Sequence, residues 1–237
     1  MDMVIVNRPR YFQDDQDLEL EVIGRPMVVP EHPEYRPIKR ALDLLICVLA
    51  LPVFLPLLAL CAAAIRFDSS GPIFFIQERV GKGGRRFKMI KFRTMHTQVD
   101  DQHHRDYLKA YVKGQVAETQ GQAYKPKARV TRVGRFLRKA SLDELPQLFN
   151  VLKGEMSIIG PRPNLAWEVE EYQFWHHERL EVLPGITGLA QVRGRSSLSF
   201  EQIVNFDAEY VAQMSLVLDL KILWWTAMVV LRGAGAH

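Results

Sequence analysis

Cysteine is scarce: Cys47 and Cys61 are the only two in 237 residues. Two thiols exclude a disulfide scaffold and a Cys-based zinc site. Both fall in the most apolar stretch, which predicts buried, reduced thiols in a protein facing the cytosol. Long apolar runs are equally few. There is one, and a mean hydropathy of −0.08 excludes a polytopic membrane protein. The opening MDMVIVNRPRYF is charged too early for a secretory signal, so none is expected. Repeats and low-complexity tracts are lacking. With 48% hydrophobic and 24% charged residues, a disordered or fibrous chain is excluded, and the length suits one domain with an appendage.

Charge is unevenly spread. Residues 1–36 hold eight acids and four bases, with Pro9, Pro26, Pro30 and Pro33 and no sustained periodicity. They read as a loosely ordered acidic extension, followed by a domain over 37–237. That domain holds 27 bases and 19 acids, a surplus that points to anionic partners: phosphates, nucleic acid or acidic lipid heads.

The apolar run spans 22 uncharged residues from Leu44 to Ile65. As a straight helix it measures about 33 Å, against about 30 Å for a bilayer core. Pro52 and Pro56 near its middle each remove a backbone donor. Bases stand on both sides: Arg36, Lys39 and Arg40 before it, Arg66, Arg79, Lys82, Arg85 and Arg86 after it. Positive charge at both flanks fits a proline-broken helix, about 41–65, that enters and leaves one leaflet from the cytoplasmic side. A buried core helix is the alternative.

Beyond Gly71-Pro72, IFFIQ and FKMIKF flank a glycine-rich stretch and read as a small β-hairpin. The residues after Gly81, Gly83 and Gly84 are strand-like, so these glycines fit a turn better than a nucleotide loop. Helices are expected over Ser141–Lys153, Trp167–Leu183, Ser199–Gln213 and Leu216–Leu231. The last carries Trp224 and Trp225, which suit either a membrane interface or a core. The whole is a helix-rich α+β protein. His103-His104 and Asp15-Gln16-Asp17 lie in polar stretches and read as solvated. Lys125–Lys139 carries seven bases and no acid.

RKASLDELPQLFNVLKGEMSIIGPRP holds the densest chemistry. Ser141 and Glu144 have capping-box spacing, which puts Asp143 and Glu144 in a first helical turn at the positive end of the dipole. Acids there are ordinary helix-start chemistry. They are also what a nucleophile toward phosphorus needs, a carboxylate kept ionised by a helix terminus and nearby Arg138. Glu144 beside it suits magnesium, a hard ion that takes one or two carboxylates plus substrate phosphates. Arg162, between Pro161 and Pro163, presents a forked phosphate ligand on a restricted backbone, or is simply part of a turn.

These segments, with KRALDLL, DSSGPIFFIQERVGKGGRRFKMIKFRTM, RVTRVGRFLRKASLDELPQLFNVLKGEMSIIGPRP and PGITGLAQVRGR, resemble the bacterial sugar transferase family, the monotopic phosphoglycosyl transferases, over about Lys39–Leu231. The match leaves out the extension and the multi-span domain of larger members. The resemblance implies a monotopic protein at the cytoplasmic face of the bacterial inner membrane, with a re-entrant helix and interfacial amphipathic helices. It implies transfer of a hexose-1-phosphate from a UDP-sugar to undecaprenyl or another polyprenyl phosphate, with release of UMP, as the first membrane step of exopolysaccharide or other surface glycan synthesis. Asp143 would be the nucleophile and Glu144 the Mg2+ ligand. Arg138, Arg162 and Arg195 would bind phosphates or donor, with Lys91 and Asp219 as weaker candidates, ligands or structural residues. Membrane lipid is an implied partner and nucleic acid is not; the last helix leaves a homodimer open. Two departures stand out. Leu55 precedes Pro56 where the family usually has Ser, and Arg193 stands where it usually has Asn. The rivals are a glycosyltransferase that releases UDP and a membrane-anchored adaptor without activity.

Overall fold

A computed structural model describes residues 34–96, 110–113, 130–194 and 198–231. The extension up to residue 33, His103-His104, Asp15–Asp17 and most of the basic stretch before Val130 lie outside the described residues.

Helix α1 runs over Tyr35–Asp68, 34 residues, starting before and ending after the expected segment. Both prolines sit inside it and the helix continues through them. Each removes one donor four residues on from its acceptor, so the freed carbonyls belong to Val48 and Pro52, one above the other on a single face. The spacing of Cys47, Phe54, Leu58, Cys61 and Ile65 turns one stripe inward. Away from that stripe Leu49, Val53 and Leu60 are 69%, 75% and 68% exposed. Among the described residues this is the one helix long and apolar enough to cross a membrane.

Both ends of α1 are tied to the rest of the molecule. Near the start, Lys39 pairs with Asp219 at 2.8 Å, and Arg40 donates to the carbonyls of Val151 and Leu152 at 2.6 and 3.1 Å. At the far end, Asp68 accepts from the Val133 N–H at 3.0 Å, and Arg93 donates to the Ser69 carbonyl at 2.8 Å.

Strands β1 (Phe74–Val80) and β2 (Arg86–Phe92) form the expected antiparallel hairpin, in register from Phe74↔Phe92 to Val80↔Arg86. Its turn is a single 3-10 turn with Gly83 at φ 67, a left-handed value glycine adopts without a Cβ penalty. Helix α2 (Arg132–Lys139) starts at Thr131, whose hydroxyl accepts from Gly134 N–H. A 3-10 segment, Leu142–Gln147, leads into α3 (Leu148–Lys153), closed by left-handed Gly154. Strand β3 (Ser157–Ile159) pairs in parallel with β4 (Gly185–Thr187). Where the chains meet, a Cβ at Gly160 or Gly185 would collide with the other's backbone. Between these strands lie α4 (Ala166–Val169) and a 3-10 segment, Phe174–Leu180. Then come α5 (Leu189–Arg193), α6 (Phe200–Gln213) and α7 (Leu216–Leu231).

Two buried clusters hold this together. Met89, Val151, Met156, Ile159, Leu189, Tyr210 and Ile222 join the hairpin to α3, β3, α5, α6 and α7. Phe54, Leu58, Cys61, Ile65, Phe92 and Leu137 seat the second half of α1 on β2 and α2. Cys47 and Cys61 are buried and free, as their surroundings predict.

Two helical expectations need correction. Trp167–Leu183 is not one amphipathic helix: α4 stops at Val169 and a 3-10 segment comes after it. Its polar residues His176 and Arg179 are buried by partners elsewhere in the chain. Ser141–Lys153 likewise divides, and only its second half is α-helical.

Candidate active site

The site begins where α2 ends. The N–H of Ala140 bonds the Phe136 carbonyl and that of Ser141 bonds the Arg138 carbonyl. Ser141 then takes φ 56, ψ 21, the only positive φ at a non-glycine among the described residues. It makes no side-chain cap, so the expected capping box with Glu144 does not form. A left-handed residue turns the chain sharply, and the 3-10 segment carrying Asp143 and Glu144 runs against β2.

Asn150 sets the distance between them. Wholly buried, it accepts from the Ile90 N–H at 3.1 Å and donates to the Lys88 carbonyl at 2.8 Å, pairing with the free edge of β2 as a strand would. That contact brings Lys91 opposite the 3-10 segment. Lys91 Nζ lies 3.1 Å from Glu144 Oε1. Arg162 Nη1 lies 3.0 Å from the same oxygen, and Gln147 donates to Oε2 at 3.3 Å. Asp143 accepts no hydrogen bond from the described residues.

The neighbouring carboxylates therefore differ electrostatically. Burial would push Glu144 up, but Arg162 and Lys91 outweigh it and hold the group down at about 2. Asp143 is raised, first by burial and then by the charge of Glu144, against the pull of Lys91, Arg162 and Arg138. The α-helix terminus expected to favour the charged form of Asp143 is absent, burial raises the group instead, and Glu144 is the member held low. Lys91 falls to about 8, through burial and then the nearby charge of Arg162.

Of the residues singled out from sequence, Asp143, Glu144, Lys91 and Arg162 come together, and Arg138 is near enough for its charge to act on Asp143. Arg195 lies outside the described residues. Asp219 belongs elsewhere: in α7 it accepts from Tyr35, Lys39 and Tyr210 at 2.6, 2.8 and 3.0 Å, tying the start of α1 to α7. Sequence reasoning passes over Arg79, Gln147, Asn150 and Arg179. Gln147 stands three residues from Glu144, a spacing that can be read; the others gain meaning only through distant partners.

The structure thus joins a helix long and apolar enough to cross a membrane, tied at both ends, to an α+β body that sets two adjacent carboxylates beside a lysine and an arginine. Residues 34–233 match the family described as bacterial sugar transferase, and the chain belongs to that family. It is 40% identical over 199 residues to the exopolysaccharide production protein ExoY of Sinorhizobium fredii, covering 84% of this chain and 88% of that protein. The ExoY of Rhizobium meliloti is 39% identical over 220 residues, covering 90% of this chain and 96% of its own. The UDP-glucose:undecaprenyl-phosphate glucose-1-phosphate transferase of Xanthomonas campestris pv. campestris is 42% identical over 197 residues, 80% of this chain but 38% of that longer relative.

Proposed function

We propose that this protein transfers a sugar-1-phosphate from a UDP-sugar to a polyprenyl phosphate, undecaprenyl phosphate above all, through a covalent intermediate on Asp143. The observation that carries this is the contrast within the dyad: Glu144 is held by two cations, while Asp143 beside it accepts no hydrogen bond from the described residues. A partly buried carboxylate that accepts no hydrogen bond from its protein neighbours keeps its lone pairs available for attack. An Asp143 oxygen bonds to the sugar-bearing phosphorus as the bond from that phosphorus to the bridging oxygen breaks, and UMP departs with that oxygen. A phosphate oxygen of the polyprenyl acceptor then attacks the same phosphorus, the bond to Asp143 breaks, and the carboxylate is regenerated.

Arg162 and Lys91 neutralise the oxygens on which charge accumulates, and Arg138 adds its field. The donor set also fits magnesium. Glu144 Oε2 meets only the neutral Gln147 amide, and Asp143 stands beside it. No cluster of three or more His, Cys, Asp or Glu exists among the described residues. Glu144, with Asp143 near, would therefore hold the ion jointly with substrate phosphates and water. When bound, magnesium supplies further neutralisation of the diphosphate.

We read α1 as re-entrant. Its two ends are bonded to one polar body, whereas a true span would separate them by a bilayer. That body would lie at the cytoplasmic face of the inner membrane, with membrane lipid around α1. Cysteines introduced at residues 38 and 67 should both be labelled from the same side in oriented vesicles; labelling from opposite sides refutes this topology.

The deciding experiment uses donor carrying a labelled phosphate next to the sugar, in magnesium and without acceptor. Label retained on the polypeptide after a rapid quench, one UMP per label, and loss of both in Asp143→Asn are expected. UDP as product would instead support a glycosyltransferase without a covalent step. Full function in Asp143→Asn would support an adaptor.

A further inference from the structure

The Pro161–Asn164 turn holds its shape through its carbonyls. Pro161 and Pro163 have no N–H, so half the usual donors are missing, and a buried carbonyl without a partner is costly. Each of the four carbonyls finds a donor, from three parts of the fold: β1, the 3-10 segment Phe174–Leu180 and β4. Pro161 O accepts from the Gly185 N–H at 2.9 Å, and Asn164 O from the Val80 N–H at 2.9 Å. The two between them are held by arginine side chains. Arg162 O accepts from Arg179 Nη2 at 3.0 Å, and Pro163 O from Arg79 Nη1 at 3.1 Å.

Both arginines are braced. Arg179, 3% exposed, also donates to the Tyr172 hydroxyl at 3.0 Å and pairs with Asp207 of α6 at 2.5 Å. Arg79 donates to Gln77 Oε1 at 2.6 Å and lies 3.9 Å from Glu168. Gln77 and Arg79 share a face of β1 and stand opposite Met89 and Phe87 of β2, so the brace is built into the same hairpin that carries Lys91.

We infer that Arg79 and Arg179 are positioning residues that clamp two successive carbonyls, those of Arg162 and Pro163, and so aim the Arg162 guanidinium at the Glu144 site. This rests on the reading of that site as the one that receives the diphosphate. Their forked guanidinium groups suit the task, since each reaches two or three acceptors at once from a fixed plane. A lysine keeps the charge and loses the fork. Neither arginine is assigned a contact with substrate; each acts through Arg162.

The test is a double-mutant cycle on the full chain in lipid nanodiscs. UMP release and equilibrium binding of UDP with magnesium are measured separately. Arg79→Lys should still unfold cooperatively, at a somewhat lower melting temperature, and lower kcat/KM for UMP release by about 100-fold, the scale of a misplacement of about 1 Å. In an Arg162→Ala background the same change should add less than about twofold, because the group it aims is already gone. Arg179→Lys should repeat the pattern. UDP affinity should obey the same cycle. Additive losses in either readout, or no loss from Arg79→Lys in the presence of Arg162, overturn the clamp. If wild type binds UDP but releases no UMP, the covalent-transfer reading fails while the binding cycle still decides the clamp.

Discussion

The ion pair between Arg179 and Asp207 allows stability and alignment to be separated. Both side chains are essentially buried, at 2% and 1% exposure. Replacing Arg179 by Met of similar volume strands the Asp207 charge, whose carboxyl is already raised to about 6 by burial against the pull of Arg179. Breaking a buried pair from one side costs about 3–5 kcal/mol. In a chain of this size that lowers the melting temperature by roughly 6–20 °C. Removing both charges, as Arg179→Met with Asp207→Leu, should recover most of this loss, because an apolar pair of similar volume is often neutral or stabilising. The Tyr172 hydroxyl and the Arg162 carbonyl still lose a donor in the double variant, at about 1–3 kcal/mol for a buried unsatisfied group, so recovery stays incomplete. Thermal unfolding in nanodiscs, tracked by intrinsic fluorescence, reads the stability; UMP release reads the alignment. The double variant should melt well above Arg179→Met yet remain as inactive. Refutation would be a double variant that melts no higher than the single one.

His176 predicts an acid-sensitive fold. It is 4% exposed, its Nδ1 accepts from the Gln173 N–H at 3.1 Å, and burial, then Arg179 and His177, lower it from 6.5 to about 4. Because the unfolded chain binds the proton more tightly, this group's contribution is full above pH 6.5 and lost as pH falls toward 4, about 3 kcal/mol in all. His176→Gln keeps an acceptor without titrating and should flatten the melting temperature over that window; parallel curves for the two proteins would count against the assignment. Ser141→Gly should melt no lower than wild type. Ser141→Val should be about 1–2 kcal/mol less stable than Ser141→Gly, the cost of a left-handed backbone for a residue with Cβ, and equal stability of the two variants would mean that φ 56 carries no strain.

What can be read from sequence is what neighbours in sequence decide. The hairpin, the long apolar helix and the bounds of α7 come from local periodicity and turn residues. The start of α6 does too: Ser199 accepts from the Gln202 N–H and Gln202 reaches back to the Ser199 N–H. The same spacing misleads at Ser141, because there Glu144 has better partners, 53 residues away in Lys91 and 18 away in Arg162. An exposed cap competes poorly with two cations in a half-buried site. Asp219, a weaker candidate from sequence, is likewise placed by a distant partner. Nothing around it in sequence signals that Lys39, 180 residues earlier, neutralises it. The helix expected over Trp167–Leu183 fails because Arg179, a surface residue by its type, is taken inward by Asp207 and Tyr172.

The departure from α-helix at Leu142–Gln147 also explains why adjacent carboxylates play unlike parts. In a 3-10 segment residues three apart lie almost directly above one another. Glu144 therefore stands over Gln147, whose amide meets it at 3.3 Å. Asp143 stands over Pro146, which has neither a polar side chain nor a backbone N–H to offer. Leu142 and Leu145, the third such pair, pack together against the cluster beneath α1. One turn geometry thus anchors the segment to the membrane-helix side, gives Glu144 a partner and leaves Asp143 without one. In an α-helix the same residues would be offset by about 60°, and the difference between an anchored and an available carboxylate would be lost.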